Sequence, residues 1–315
     1  MNNFPFTLSV VIPLCKEGDH LKITLEEVSK EFEKIKEPYE IILVDDGSPD
    51  NTWDVILELS NKYPALKALR LSRNFGKESA ICAGLEAAKG KAVIVMDGDL
   101  QHPPSLLPVM VKLWQESHAE VVETVKNDRG KETFIKKAGA NLFYAILNKL
   151  SGVNLKGMSD FKLLDRQVVD AWLKMSERNL FFRGMIPWLG FKHVQLPFTV
   201  AERTAGESAW SFFRLVRLAV TALTTFSSLS LHFITLLGSL FLLFSLILGA
   251  QTLFNKFAGN AVSGFTTVII LQLAIGSLLM ISLGIIGEYI ARIYEEVKVR
   301  PRYIISQTIN MKCDI

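Results

Sequence analysis

The sequence is poor in cysteine and has almost no excess of charge of either sign, and each shortage excludes a class of protein. Its 3 cysteines, Cys15, Cys82 and Cys313, fit neither a disulfide framework nor a thiolate zinc site, which favours a reducing compartment. Lys and Arg number 35 against 32 Asp and Glu, so the lack of a strong basic excess argues against a dedicated nucleic-acid binder. Because 49% of the residues are hydrophobic and the net charge is only +3, the composition also argues against a disordered chain.

Two phosphate-binding motifs and an export signal are absent as well. No G-x-G-x-x-G occurs, so a Rossmann dinucleotide site loses its main support, and no G-x-x-x-x-G-K-[ST] supports a P-loop. The first residues, MNNFPFTLSV, show no basic region followed by an apolar core and a cleavage site. We therefore expect the N-terminal region to remain in the cytoplasm.

Charge is missing from much of the C-terminal third of the chain. Residues 218–255 and 257–287 contain no Lys, Arg, Asp or Glu. Since about 20 apolar residues cross the hydrocarbon layer as a helix, we predict transmembrane helices near Leu231–Phe254 and Phe265–Gly287. The alternative is a pair of buried core helices in a soluble protein, which is disfavoured because core helices are seldom this long without a charge.

Basic residues flank these predicted spans unequally. The connecting loop holds one cation, Lys256, whereas several lie on the other side of the spans: Arg203, Arg214, Arg217, Arg292, Lys298, Arg300 and Arg302. Because positive flanks stay in the cytoplasm, we expect a multi-pass protein of a bacterial-type inner membrane with both termini cytoplasmic. Trp210–Ser228 mixes cations with apolar residues, which suits either an amphipathic helix on the membrane surface or a helix packed against the globular domain.

The N-terminal region alternates short apolar runs with helix-like segments. We predict strands over Thr7–Leu14, Glu40–Val44, Leu66–Leu71 and Ala92–Met96, and helices over Asp19–Lys36, Asn51–Lys62 and Glu78–Lys89. Nearly continuous hydrophobicity is typical of strands buried on both faces, so the pattern predicts an α/β fold with a mostly parallel sheet and helices on both faces. The predicted organisation is a cytosolic domain over 1–206, an interfacial helical region over 207–230, a transmembrane hairpin over 231–290 and a cytosolic tail over 291–315.

Acidic residues follow three of the predicted strands. Glu17 follows the first strand, Asp45–Asp46 the second and Asp97–Asp99 the fourth. Open parallel sheets bind ligands beyond the carboxyl ends of their strands, where crowded carboxylates repel one another unless a cation compensates. A D-x-D pair offers two hard oxygen ligands to Mg²⁺ or Mn²⁺, which in turn binds a diphosphate, and a central glycine lets the backbone approach phosphates. Each loop alone is equally well explained as a turn or a helix cap, but together they favour a metal–diphosphate site.

Several segments carry a resemblance to a known family. VVIPLCKEG, ILVDDGSPDNT, RNFGKESAICAGLEAAKG and VIVMDGDLQHPP resemble the family 2 glycosyltransferases of the GT-A, Rossmann-like fold. The resemblance continues through SDFKLLDR, FFRGMIPWLGF and ERTAGESAWS and ends with GIIGEYIARIYEEVKVRPRYII, so it covers essentially the whole chain. The sequence is most similar to polyprenyl-phosphate glycosyltransferases of the GtrB and bactoprenol glucosyltransferase type, which are related to dolichol-phosphate mannose synthase.

The resemblance implies a role for individual residues. Asp97 and Asp99 would hold Mg²⁺ or Mn²⁺ and the donor diphosphate, and Asp160 would lie near the reacting centre. Nucleotide-sugar contacts are implied for Pro13, Leu14, Glu17, Asp45, Asp46, Lys77, Asp97, Gly98 and Gln101. Contacts to the acceptor phosphate are implied for Lys126, Arg129 and Arg203.

The implied reaction is transfer of a sugar onto a polyprenyl phosphate, with UDP-glucose as the preferred donor and UDP-linked N-acetylhexosamines or GDP-mannose as alternatives. The acceptor oxygen is already ionised near neutral pH, so we expect Asp160 to orient the acceptor or to stabilise positive charge on the sugar. Base catalysis by Asp160, or a purely structural capping role, remains open. Direct displacement would invert the anomeric configuration, and the resemblance also implies a homotetramer.

Two other functional classes remain as alternatives. A processive polysaccharide synthase would use the same catalytic fold, but no Q-x-x-R-W stretch occurs and two spans hardly form a translocation path. A non-catalytic scaffold or sugar-nucleotide sensor is disfavoured because Asp97, Asp99 and Asp160 are all present.

Overall fold

The structure is a computed structural model that describes residues 6–126, 158–175, 177, 181–198, 229–258 and 264–311. The chain divides into two compact units. The first comprises Met1–Ser208 together with Arg300–Ile315, and the second comprises Ala209–Val299.

The first unit alternates strands and helices along its N-terminal part. Its elements are β1 (Phe6–Leu14), α1 (Gly18–Ile35), β2 (Tyr39–Asp45), α2 (Thr52–Lys62), β3 (Leu66–Leu71), α3 (Lys77–Ala87), β4 (Gly90–Val95), α4 (Leu107–Ser117), β5 (Val121–Lys126), β6 (Met158–Asp165), α5 (Arg166–Leu173), α6 (Phe182–Trp188), β7 (His193–Phe198) and β8 (Ile305–Ile309). A short 3₁₀ helix, Pro104–Leu106, precedes α4. The strands and helices predicted up to β4 are all confirmed, and no observed end differs from its predicted end by more than two residues.

Eight strands, counted over the described residues, form one sheet in the order β7-β5-β6-β4-β1-β2-β3-β8. The four strands β3, β2, β1 and β4 are parallel to one another, so their carboxyl ends share one edge of the sheet. Beyond β4 the sheet is mixed, because β6 runs antiparallel to both β4 and β5 while β7 is parallel to β5. The predicted mostly parallel α/β fold of the GT-A, Rossmann-like type is confirmed.

Helices cover both faces of the parallel part, which explains the continuous hydrophobicity of its strands. Val10 and Ile12 of β1 belong to a buried core cluster that includes Leu21 and Leu25 of α1. On the opposite face, α3 packs so closely that a side-chain carbon on Gly84 would lie 2.2 Å from Val11 Cγ1. Alternate residues of one strand are therefore buried under different helices.

The last strand of the sheet comes from the C-terminal tail. β8 pairs antiparallel with β3, and Ile309 lies opposite Ala68. Just before this strand, the Tyr303 hydroxyl donates to the Glu86 carboxylate on α3. The tail thus covers an edge that β3 would otherwise present unpaired, a feature that the sequence patterns did not predict.

The second unit contains two long helices, α7 (Leu229–Phe257) and α8 (Phe265–Val297), which include both predicted spans. Within the described part of the chain, one segment, Ala274–Val297, is long and apolar enough to cross a membrane, whereas Gly238–Gln251 is a shorter apolar stretch. The predicted interfacial segment, Trp210–Ser228, lies outside the described residues.

Candidate active site

The strand register brings the acidic loops together with β6. Val95 of β4 lies opposite Lys162 of β6, and the two strands are antiparallel. Two residues beyond Val95 and two residues before Lys162 are Asp97 and Asp160, so continuing the register brings these carboxylates level with each other. The site therefore forms where the carboxyl end of β4 meets the start of β6.

Asp46 fixes the start of α3. Its Oδ1 accepts from the backbone N–H of Phe75 at 2.7 Å and its Oδ2 accepts from that of Gly76 at 2.9 Å. Gly76 has a φ of 98°, a conformation that residues with a side chain rarely adopt. Lys77, the first residue of α3, is held in place by this loop.

Lys77 bridges two carboxylates of the site. Its Nζ lies 2.6 Å from Asp97 Oδ1 and 2.8 Å from Asp160 Oδ2. Burial alone would lower the pKa of Lys77, but the two carboxylates outweigh it and raise that pKa above its usual value. The ammonium therefore stays charged and links the β4 loop to β6.

Arg183 of α6 binds Asp160 from another direction. Its Nε lies 3.1 Å from Asp160 Oδ1 and its Nη2 lies 2.9 Å from Oδ2, which is a bidentate contact. Burial favours a raised pKa for Asp160, yet Arg183 and Lys77 together hold that pKa well below its usual range. Asp160 is thus an ionised carboxylate held by two cations.

Glu78 positions the start of α6. Its Oε2 accepts from the backbone N–H of Phe182 at 3.0 Å, and Arg183 is the next residue. Burial, followed by the nearby charge of Asp160, raises the pKa of Glu78 to about 7. Two adjacent residues of α3 therefore support Asp160. Lys77 binds its carboxylate, and Glu78 holds the start of the helix that carries Arg183.

Glu17 points toward the D-x-D loop. A side-chain carbon on Gly98 would lie 2.2 Å from Glu17 Oε2 and 2.7 Å from Leu14 Cδ2, so glycine here leaves room for both side chains. Burial and the charges of Asp99 and Asp97 raise the pKa of Glu17 to about 7. The buried Oε2 has no hydrogen-bond partner among the described residues. The rim of the site, where Glu17 and the D-x-D loop lie, therefore carries more negative charge than Lys77 neutralises.

Asp97 and Asp99 fit a divalent cation whose remaining ligands come from a substrate. In the described ranges, no group of three or more His, Cys, Asp or Glu side chains could hold a metal ion by itself. Mg²⁺ is commonly bound through one or two carboxylates plus substrate phosphates, so a two-carboxylate site suits an ion that arrives with a diphosphate. The crowding of Glu17 against both aspartates agrees with this, because a cation would relieve it.

The side chains around Asp99 differ in their exposure to solvent. Asp99 is exposed, and its Oδ1 accepts from the backbone N–H of the half-buried Gln101 at 3.1 Å. His102 is buried, with Nδ1 3.9 Å from Asp97 Oδ2 and its ring 5.3 Å from that of Phe161. His102 therefore packs behind the loop, whereas Asp99 is the carboxylate most open to a ligand.

Other predicted nucleotide-binding residues are buried at the strand ends. Pro13 and Leu14 close β1 and are buried there. Asp45 is fully buried, and its Oδ1 accepts from the backbone N–H of Ser48 at 2.9 Å while Arg70 Nε lies 3.2 Å from Oδ2. These contacts stabilise the loop after β2, and a direct contact between Asp45 and a nucleotide stays a prediction.

The predicted acceptor-binding cations fall at or beyond the limits of the described chain. Lys126 is the last residue of β5, and its side chain is not among those described. Arg129 and Arg203 lie outside the described residues. Their contact with an acceptor phosphate stays a prediction.

Sequence reasoning assigned no role to Arg183 or Glu78. Arg183 lies in FFRGMIPWLGF and Glu78 in RNFGKESAICAGLEAAKG, two of the segments that carry the family resemblance. A single arginine in a short apolar segment has no recognisable spacing, so only the tertiary contact with Asp160 reveals what it does.

A second charged cluster lies on the same strand as Asp160 but is sealed from solvent. Lys162 Nζ lies 2.7 Å from Glu123 Oε2, and the two side chains are 0% and 1% exposed. Gln195 donates to Glu123 at 3.2 Å, and His193 Nδ1 lies 3.7 Å from the same carboxylate. Burial opposes ionisation of Glu123, but His193 and Lys162 lower its pKa to about 2.

Comparisons with known proteins find sequence similarity along most of the chain. The family model "Glycosyl transferase family 2" matches residues 9–173. The Shigella phage SfII protein named "Bactoprenol glucosyl transferase" is 36% identical over 305 residues, which is 96% of this chain and 98% of that protein. The Escherichia coli K12 "Prophage bactoprenol glucosyl transferase homolog" is 36% identical over 95% of this chain and 98% of its own length. "Uncharacterized glycosyltransferase sll0501" of Synechocystis is 36% identical over 95% and 94%.

Solved structures show a more distant similarity. The mannosyltransferase PcManGT from Pyrobaculum calidifontis, in complex with GDP-Man and Mn²⁺, has a TM-score of 0.47. The similarity covers 69% of this chain and 63% of that one, at 17% sequence identity.

Proposed function

Because the chain belongs to glycosyl transferase family 2, we propose that it transfers a sugar from a nucleotide donor to a polyprenyl phosphate at the cytosolic face of a membrane. UDP-glucose is the proposed donor. The observation that carries the proposal is similarity to bactoprenol glucosyl transferases along nearly the whole chain, in a protein whose D-x-D loop lies beside Asp160. Membership of glycosyl transferase family 2 itself supports the transfer of a sugar.

Asp97 and Asp99 are the residues that would hold Mg²⁺ or Mn²⁺. When bound, the ion supplies positive charge that neutralises the nucleoside diphosphate as it leaves the sugar. Asp99 is exposed and Asp97 is partly exposed, so both can meet an incoming diphosphate. Glu17, Gly98 and the neighbouring Gln101 complete the proposed donor side of the site.

Asp160 acts in the proposed reaction as an orienting and electrostatic group. A general base works best with a pKa near the operating pH, whereas Arg183 and Lys77 hold the pKa of Asp160 far below it. A polyprenyl phosphate is ionised near neutral pH and requires little proton removal, so a strong base is unnecessary. Asp160 is then suited to stabilising positive charge on the sugar ring during a direct, inverting displacement.

Membrane attachment is supported by α8. Its apolar side chains Leu279, Met280 and Leu283 are each more than half exposed, a pattern that favours lipid contact over a soluble surface. β8 belongs to the same sheet as β3, so the chain returns to the side from which it left. Any membrane crossing between β7 and β8 must occur an even number of times. We therefore propose that α7 and α8 form a hairpin with both termini on one side of the membrane, and the basic residues that flank the spans favour the cytoplasm for that side.

The proposed acceptor side of the site combines membrane attachment with cations. Residues 207–230 would lie at the interface, and Lys126, Arg129 and Arg203 would meet the acceptor phosphate. A polyprenyl phosphate places its charged group at the membrane surface, so a catalytic domain tethered there needs cations within reach of the headgroups.

An assay with a panel of donors tests the proposal. Purified full-length protein in detergent would be incubated with Mg²⁺ or Mn²⁺, polyprenyl phosphate and radiolabelled UDP-glucose, UDP-N-acetylglucosamine or GDP-mannose. We expect one labelled lipid product, formed best with UDP-glucose and lost on chelation of the metal. A ladder of products would support a processive synthase instead, and no transfer from any of the three donors would contradict the proposal in favour of a sensor or scaffold.

A further inference from the structure

Lys77 places a positive charge between two carboxylates of the site. Its ammonium is 2.6 Å from Asp97 Oδ1, one of the two proposed metal-binding carboxylates, and 2.8 Å from Asp160 Oδ2. We propose that Lys77 is a resident counter-ion that occupies the cation position at Asp97, and that the divalent ion must displace it when it binds with the nucleotide. This inference rests on the proposed function, because it assumes the metal site of Asp97 and Asp99.

The geometry permits such an exchange. The backbone of Lys77 is fixed at the first residue of α3, while its side chain is 42% exposed. Asp97 is 25% exposed, so solvent and ions reach the contact between the two groups. The lysine side chain can leave Asp97 without moving the helix, and its second carboxylate, Asp160, keeps it near the site.

Electrostatics explains why the exchange would be coupled to the nucleotide. A metal ion and an ammonium at the same carboxylate repel each other, so Lys77 opposes binding of the ion alone. A diphosphate brings negative charge that attracts both cations, which removes this opposition. Metal and nucleotide should therefore strengthen each other's binding, and the strengthening should depend on Lys77.

Arg183 provides a matched control. Like Lys77 it is a cation bound to Asp160, at 2.9 Å, whereas the 2.6 Å contact with Asp97 Oδ1 is made by Lys77. Removing either cation changes the total charge of the site equally, whereas the ammonium of Lys77 lies directly against the carboxylate that the metal needs. A difference between the two variants therefore separates displacement from a general change in charge.

The experiment measures binding of Mn²⁺ to the purified full-length protein by electron paramagnetic resonance of the free ion, with and without UDP. Lys77→Met and Lys77→Gln are compared with Arg183→Met and wild type, and a thermal melt establishes that each variant is folded. We expect both Lys77 variants to bind Mn²⁺ alone about tenfold more tightly than wild type and to gain less affinity on addition of UDP. Arg183→Met should keep the wild-type gain.

The outcomes separate this inference from the function on which it rests. Equal Mn²⁺ affinity in wild type and folded Lys77 variants would overturn the displacement while leaving the metal–nucleotide site intact. An equal effect of Arg183→Met would overturn it in favour of general charge. If no protein binds Mn²⁺ even with UDP, the metal-dependent function itself fails and the displacement fails with it.

Discussion

β6 carries two charged clusters, at Asp160 and at Lys162. Both combine carboxylates with cations, but they differ in their exposure to solvent and in their balance of charge. Lys162 pairs with Glu123 inside the sheet, where both side chains are essentially inaccessible. Asp160 pairs with Lys77 and Arg183 at the edge of the sheet, where each member keeps some exposure. One cluster is closed within the protein and the other is open to whatever binds at the rim.

The balance of charge separates them further. The carboxylate of Glu123 is satisfied by Lys162, Gln195 and the nearby His193. At the rim, the described carboxylates outnumber the described cations, and the crowding raises the pKa of Glu17 to about 7 through burial and the charges of Asp99 and Asp97. A closed, balanced cluster contributes to the folded state, whereas an open cluster with surplus negative charge is suited to binding a cationic ligand.

The strongest test of the open cluster is Asp99→Ala. We expect turnover to fall by about a thousandfold or more, because the metal and the leaving diphosphate lose an exposed ligand. The melting temperature should stay close to that of wild type, since substitutions of exposed residues usually have little effect on stability. Labelled-lipid assays and thermal melts measure the two quantities. Asp54→Ala, an exposed aspartate on α2, is the control, and near-normal turnover of Asp99→Ala would refute the metal assignment.

The closed cluster should show the reverse behaviour when Lys162 is replaced. Lys162→Met leaves the carboxylate of Glu123 buried without its main cation, which costs about 3–5 kcal/mol of stability and lowers the melting temperature by about 10 °C. Replacing both members, as Lys162→Met with Glu123→Met, removes the buried charge and should restore most of the loss. If Lys162→Met melts at the same temperature as wild type, the buried pair does not contribute to the stability of the fold in the way that its burial indicates.

The sequence predicts the parallel part of this fold well because the relevant signals are local. β1, β2 and β4 are largely apolar runs, and each is followed by acidic residues that parallel pairing brings to the same edge of the sheet. The position of the D-x-D loop at this edge can therefore be predicted from the sequence alone. Asp160 could be located only through the resemblance of SDFKLLDR to a family.

The remaining features depend on contacts between distant parts of the chain. β8 follows a long helical region and joins the sheet only by pairing with β3, so its alternation alone gives no partner. Arg183 lies on a helix of 7 residues, too short to show a period, and Glu78 holds the start of that helix. Such residues become recognisable when the tertiary structure places them beside the site.

Arg183→Lys tests whether the open cluster needs geometry as well as charge. Lysine keeps the positive charge but cannot make the bidentate contact with Asp160, so we expect turnover to fall about 10- to 100-fold. The effect should appear in kcat more than in KM for the donor, because Asp160 acts on the reacting centre. The exposed Arg73→Lys is the matched control. Unchanged kcat in Arg183→Lys would leave this arginine a structural role only.

Glu78→Gln gives the smallest expected effect and the most specific one. The folded protein holds a proton on Glu78 up to a pKa of about 7, whereas an unfolded chain releases it near 4.5, so wild type loses stability as the pH rises through this window. Glutamine keeps the oxygen that accepts from Phe182 but cannot titrate. The melting temperature of Glu78→Gln, measured relative to wild type, should therefore rise by a few degrees between pH 5 and pH 8. Glu58→Gln, at an exposed position of α2, should show no such trend. A constant difference for Glu78→Gln would mean that this carboxyl ionises normally beside Asp160, and that the rim tolerates even more negative charge than its contacts indicate.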